Sequence, residues 1–373
     1  MTIAMRPSHM LLPLAFLLSF GTALAQDVEL MPPPPLDPVK IRSVMTRAVD
    51  GFIRPGYDGF RDRAKALEGK MQALCAAPSA DTVTAAKAGF TEAAGAWSAI
   101  EIVRVGPVIE QNRFERVLYY PDKKGLGLKQ VQKYLVDKDE SVTTPQGLRA
   151  KSVAAQGFGA LEYVLYGTGA DDALKQKNSF RCRYGAAIAG NIANIGVELS
   201  DLWNAPDGTA KHWKEPGPDN PVFRDEREAL VALLGILVHA SEDIRDKRIE
   251  TFYKGPDNAK FPRTAIYLRS GLTWMSIGTN IAAVQRLMHT AQMSDLLPPD
   301  QRSIIGSIDF IAKSMVRVAG TIEPDVEKAL ADDKERAKVD YMLLNGKDMI
   351  YRINDQYGGA IGLSSGFSFS DGD

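Results

Sequence analysis

The sequence predicts an all-α fold of two related halves, each built like a four-helix bundle. Past residue 38 the hydrophobic period is helical nearly everywhere, and no convincing alternating strand interrupts it. One stretch, 205–220 (APDGTAKHWKEPGPDN), gathers the strongest turn-forming residues in the chain. Four substantial helical segments fall on either side of it, enough on each side for an antiparallel bundle with a ligand site in or between the bundles. The expected division is an N-terminal bundle over 39–210 and a C-terminal bundle with a tail over 211–373.

Residues 1–25 are read as an export signal and excluded from the fold. Arg6 precedes a mostly apolar run from Leu11 to Phe20, and Ala23-Leu24-Ala25 gives the small-x-small pattern of a cleavage site. No later stretch approaches the roughly 18 apolar residues of a membrane span. A bacterial periplasm or cell envelope is therefore the expected compartment, and there Cys75 and Cys182 are expected to pair as a disulfide.

Residues 26–38 (QDVELMPPPPLDP) form a Pro-rich lead-in. The first helix runs from Val39 to about Cys75 with a break expected at Arg54-Pro55-Gly56. Asp81 is read as the N-cap of a second helix through 85–103. Residues 104–143 carry Gly106-Pro107, Tyr120-Pro121-Asp122 and Gly125-Leu126-Gly127, a long excursion of the kind that is usually functional. Thr144-Pro145 opens a third helix over 145–166, which Gly167 stops. A fourth covers 178–204. In the second half, helices are expected near 221–249, 263–293, 299–319 and 333–357.

Composition narrows the function. The chain has 45 Lys and Arg against 46 Asp and Glu, a formal charge of −1, so it lacks the basic excess that phosphate backbones demand. Two cysteines and four histidines supply neither a Cys-based zinc module nor a histidine-rich cage. The HExxH, GxSxG, GxGxxG and GxxxxGK[ST] patterns are absent.

Two helices carry the residues that stand out. On the second, Trp97, Glu101 and Arg104 recur at helical spacing, and a buried acid and guanidinium there should pair. On the third, Glu162 follows Gly157 and Gly159 and lies on an apolar stripe with Phe158, Leu165 and Tyr166. Each glycine costs about 1 kcal/mol in a helix relative to alanine, so close approach by a helix or ligand is the expected return. A carboxylate on such a stripe has a raised pKa or finds a cation or metal. A rival metal pair is His239 and Glu242, at i,i+3 on the fifth helix.

The stretch Gly157-Phe158-Gly159-Ala160-Leu161-Glu162, with its apolar-aromatic continuation to Gly167, resembles the GxHxxE signature of the imelysin-like proteins. Gly157 and Glu162 match the motif's glycine and glutamate, and Gly159 stands where the motif has histidine. The resemblance extends to Trp97, Glu101 and Arg104 before Gly106-Pro107, to Arg116 before Tyr120-Pro121-Asp122, to Arg269-Ser270-Gly271, and to the closing Gly366-Phe367-Ser368-Phe369-Ser370-Asp371-Gly372-Asp373. It implies two related helical bundles in an exported bacterial protein, with a family history of peptidase activity and of periplasmic iron uptake. Without the imidazole the motif loses a metal ligand and the obvious general base. The expected function is thus non-catalytic binding of iron, another divalent metal or a small ligand, with an envelope iron-uptake partner. The expected site gathers Glu101, Arg104, Arg116, Gly159, Glu162, Arg269, Ser270 and Asp371, with Glu162 and Glu101 as metal ligands. The alternatives are a metal-dependent peptidase and an envelope scaffold with a decayed site.

Overall fold

The computed structural model describes Thr2 and residues 35–363. The signal segment, most of the Pro-rich lead-in, and the tail with Asp371 lie outside the described residues. Helices dominate and no strand occurs among the described residues.

Helix α1, Pro38–Ala48, starts on Asp37, whose carboxylate accepts the Val39 N–H at 2.8 Å. It does not break at Pro55. A π-helical turn, Val49–Ile53, leads straight into α2, Arg54–Ala76, so Pro55, which has no N–H to donate, follows a π turn inside a continuous helical run. Helix α3, Ala80–Ile100, is capped by Ser79 in a reciprocal pair with Thr82, so the cap lies two residues before the expected Asp81.

The excursion that follows contains α4, Leu126–Asp137, whose N-terminal N–H groups are taken by both oxygens of Asp122. Thr144 caps a helix as expected, but that helix stops at Arg149. The chain bends through Val153–Ala155 and starts again at Gly157 as α5, Phe158–Tyr166. Gly157 is the reason for the break: its backbone lies against Val117, and a Cβ would stand 2.1 Å from the Val117 carbonyl oxygen. Helix α6, Phe180–Asn204, is capped by Ser179.

The second group begins with α7, Glu226–Glu242, capped by Asp225 and prolonged by a π-helical stretch, Asp243–Ile249. The helix expected from 263 starts only at Thr273, as α8, Thr273–Thr290. Residues 262–272 form a chain of turns with Tyr267 at φ 50° and Gly271 at φ 71°. Helices α9, Ser303–Ala319, and α10, Asp333–Tyr351, complete the group.

Helices α2, α3, α5 and α6 pack as one set, and α7, α8, α9 and α10 as another. They meet where α3 lies along α8, and one buried apolar cluster runs through both sets. Cys75, at the end of α2, is joined to Cys182, in the first turn of α6.

Candidate functional site

Two polar centres lie along the meeting of the two sets. The first is built on α5. Its second residue, Gly159, is open to a cavity of about 140 Å³, and Glu162, one turn later, forms part of the same wall. The opposite wall is the turn 262–272, with Arg263, Tyr267 and Arg269, and Tyr119 and Tyr120 close one side. Glu162 is only 4% exposed. The Ser270 backbone N–H and hydroxyl both donate to its Oε1, each at 2.9 Å.

Two left-handed residues, Tyr267 and Gly271, turn this segment away from a helix. Tyr267 takes a left-handed conformation that is costly for a bulky residue. It is held there by its ring, edge-on to Phe90 and Phe158. Gly271 supplies the second left-handed residue without a Cβ penalty. The Thr273 hydroxyl donates to the Ile266 carbonyl and closes the turn. Ser270 is thereby aimed at Glu162.

Burial pushes the Glu162 carboxyl above its ordinary range, and the Ser270 hydrogen bonds and the Arg269 charge only partly oppose that. Among the described residues it forms no ion pair. A carboxyl raised in the folded state holds a proton that the unfolded chain has released. Folding stability therefore falls as pH rises from near 4.5, the ordinary glutamate value, through the folded pKa. Glu162→Gln keeps an oxygen for Ser270 and removes that slope. In urea unfolding across pH 4–8, the variant is expected to match or exceed the wild type at pH 8 and to lose its advantage at pH 4.

The second centre surrounds Glu101. Helix α3 ends at Ile100, so Arg104 is not on Glu101's helical face and the expected pairing of the two does not form. Arg104 instead lies over the Phe114 ring and reaches Glu115 at 3.2 Å and Asp243 at 3.6 Å, half-exposed. Glu101 is buried and pairs with Arg248 at 2.7 Å. Its other oxygen accepts from the Asn280 amide at 2.9 Å, and the same amide donates to the Ser98 carbonyl. Burial opposes the charge on Arg248, but Glu101 and the surrounding tyrosines more than offset it and hold its pKa up. A small cavity of about 50 Å³ lies beside this pair.

Gly159, Glu162, Arg269 and Ser270 thus come together at the first centre, and Glu101 stands at the second. Arg116 belongs to neither. It is buried within the N-terminal set, donating to Gln156 and Asn191, and burial lowers its pKa. His239 and Glu242 pair at 3.0 Å, with His239 at the edge of the second cavity. Among the described residues no group of three His, Cys, Asp or Glu side chains is placed to hold a metal. Sequence reasoning missed Arg248, Asn280 and Tyr267. Arg248 sits in a charged run that reads as solvated, and the π-helical stretch turns it inward. The one available signal was the need of a buried Glu101 for a cation.

The imelysin family model matches residues 53–352. The chain belongs to the imelysin family. Two solved structures share the fold of this imelysin. An imelysin-like protein from Psychrobacter arcticum 273-4 superposes with a TM-score of 0.73 at 18% identity, covering 90% of this chain and 100% of that one. A Parabacteroides distasonis ATCC 8503 protein, described as an iron-regulated protein A precursor, gives 0.69 at 12% identity, covering 89% and 97%. A curated relative, fructose-1,6-bisphosphatase class 1 of Helicobacter hepaticus, is 28% identical over 80 residues; the match spans 21% of this imelysin and 29% of that enzyme. No described helix is long and apolar enough to cross a membrane.

Proposed function

We propose that this imelysin is a non-catalytic binding protein exported to the cell envelope, which captures a metal ion or a small ligand bearing a positive group at Glu162 in connection with iron uptake. One observation carries the reading. Glu162 is a buried carboxyl on the wall of a cavity, and the motif position beside it is Gly159, so an acceptor is kept where the neighbouring base is missing. The export pattern of residues 1–25 and the description of the Parabacteroides relative support the setting and the link to iron.

The test is calorimetric titration of chelator-dialysed mature protein with ferrous and other divalent ions and with small metabolites bearing a positive group. Binding that disappears in Glu162→Gln supports the reading. Binding that survives the substitution moves the site elsewhere, and no binding at all favours a scaffold. The family model's name also classes it with peptidases. Peptide cleavage abolished by chelator and restored by metal would overturn the non-catalytic reading.

Gly159 offers a constructive check. A Cβ at Gly159 meets no atom within 4 Å, so a side chain can start there without a backbone shift, and the adjoining cavity gives the imidazole of Gly159→His space to enter. It places an imidazole one turn from Glu162, the spacing that lets both side chains share an ion. The variant is expected to fold normally and to bind divalent ions at least about tenfold more tightly than the wild type by calorimetry.

A further inference from the structure

We infer that the ligand of the Glu162 cavity is a small zwitterion of α-amino-acid size, its ammonium group on Glu162 in the space opened at Gly159 and its carboxylate on the guanidinium of Arg269 at the mouth. This rests on the reading of the cavity as a binding site and goes further by fixing the ligand's chemistry.

Size comes first. The cavity, about 140 Å³, is several times the roughly 30 Å³ share of one water. It falls short of the about 300–1,000 Å³ of pockets for drug-sized ligands. A molecule of a few to about ten heavy atoms fits, and a bare ion leaves most of the space unfilled.

Charge comes second, and it is divided. The buried end holds one acid, Glu162, whose Oε1 already receives both Ser270 hydrogen bonds. The outer end holds two cations, Arg263 and Arg269. Arg269 is exposed, lies over the Tyr163 ring at 5.3 Å, and makes no ion pair among the described residues. Arg263 reaches Glu327 only through a solvent-exposed contact at 3.3 Å, a pair of the kind that contributes little. A free metal cation would have to sit behind two guanidinium groups with Glu162 to hold it, because the other carboxylate of the lining, Asp122, already gives both oxygens to the N–H groups of Leu126, Gly127 and Leu128. The described residues place no cluster of three ligating side chains for it. An anion alone would face the Glu162 carboxyl. A molecule carrying both charges satisfies both ends, and charge-assisted hydrogen bonds at each end are the strong kind.

The walls between the two ends are apolar and aromatic. Leu118, Val131, Ala160, Tyr163 and Ile266 are buried and line the space, which suits a short aliphatic side chain. Gly159 is the residue that makes room: with no atom within 4 Å of its Cβ position, the ammonium group can approach Glu162 from that side.

The experiment titrates the whole mature protein with the free proteinogenic amino acids, then compares the best binder with its N-acetyl and α-carboxamide derivatives. Each derivative removes one charge and is expected to bind about tenfold more weakly or worse. In Glu162→Gln the N-acetyl derivative is expected to lose its disadvantage, and in Arg269→Met the carboxamide is expected to lose its own. Arg269 is exposed, so its replacement leaves folding intact, and the derivative comparison in wild-type protein stands even if Glu162→Gln is poorly behaved. Equal affinity for the amino acid and either derivative overturns the inference. So does Glu162-dependent binding of ferrous ion with no amino acid bound, although that result keeps the site as a binding site. Binding of neither overturns both.

Discussion

Replacing Glu101 with alanine is expected to lower folding stability by about 3–5 kcal/mol, the range for stranding one partner of a buried ion pair. Glu101 is 5% exposed and Arg248 7%, so neither charge has water to fall back on. The pair lies where α3 meets α8, and it is tied into a chain of polar contacts. Asn280 on α8 donates to Glu101 and to the Ser98 carbonyl, and the Ser98 and Ser276 hydroxyls meet at 2.9 Å across the same contact. Removing the carboxylate leaves a fully buried guanidinium and an Asn280 amide with one acceptor fewer. Exposed pairs give the contrast. Breaking Arg263–Glu327 should change stability by no more than about 1 kcal/mol. Urea unfolding of Glu101→Ala, Arg248→Met and the double variant separates the terms. The double variant is expected to recover part of the loss, since it no longer buries an unpaired charge. A loss below about 1 kcal/mol in Glu101→Ala would show that water reaches Arg248 and that the two sets of helices are held by apolar packing alone.

Much of this architecture could be read in advance, for a simple reason. Helical period and caps are local, so the helices expected from Val39, 145 and 178 start at Pro38, Pro145 and Phe180, and Thr144 is the cap of the second of them. The cap at Ser79 in place of Asp81 and the unbroken helix at Pro55 are local misreadings, and the larger ones are places where tertiary contact overrides local pattern. The helix expected over 145–166 breaks because Gly157 must pass against Val117, a contact no local rule contains. The turn 262–272 looks helical in sequence, but Tyr267 is drawn into a left-handed conformation by the rings of Phe90 and Phe158. The site follows the same division. Glu162 stood out as an acid on an apolar stripe, and Gly159, Arg269 and Ser270 were found through the family motif. Arg116 points into the N-terminal core, away from the expected site, while Arg104 stands with Glu101 in the lining of the second cavity without pairing with it. Arg248 was hidden in a charged run, because a π-helical stretch changes which residues of the helix face inward.

Loss of the Cys75–Cys182 bond is expected to rival the loss of Glu101, at about 2–5 kcal/mol. The bond joins residues 107 apart in sequence, and the loop it closes contains α3, α4 and α5. In the chain-entropy account a loop of about 100 residues is worth about 4.7 kcal/mol, because the unfolded chain is denied the freedom to separate its ends. The folded state needs the bond less. Gly196 lets the α6 backbone come close to Arg61 of α2, and the Asn178 N–H donates to the Cys75 carbonyl beside the bond itself. The reduced protein should therefore stay folded in buffer while its denaturation midpoint falls. Cys75→Ala/Cys182→Ala should match the reduced wild type, and the unfolded, unreduced wild type should show no reactive thiol. The effect belongs to the unfolded ensemble, so the ligand affinity of the Glu162 cavity should survive reduction unchanged under native conditions. If affinity falls with the bond, the link also positions α5 through its packing on α6, and the entropic account is incomplete.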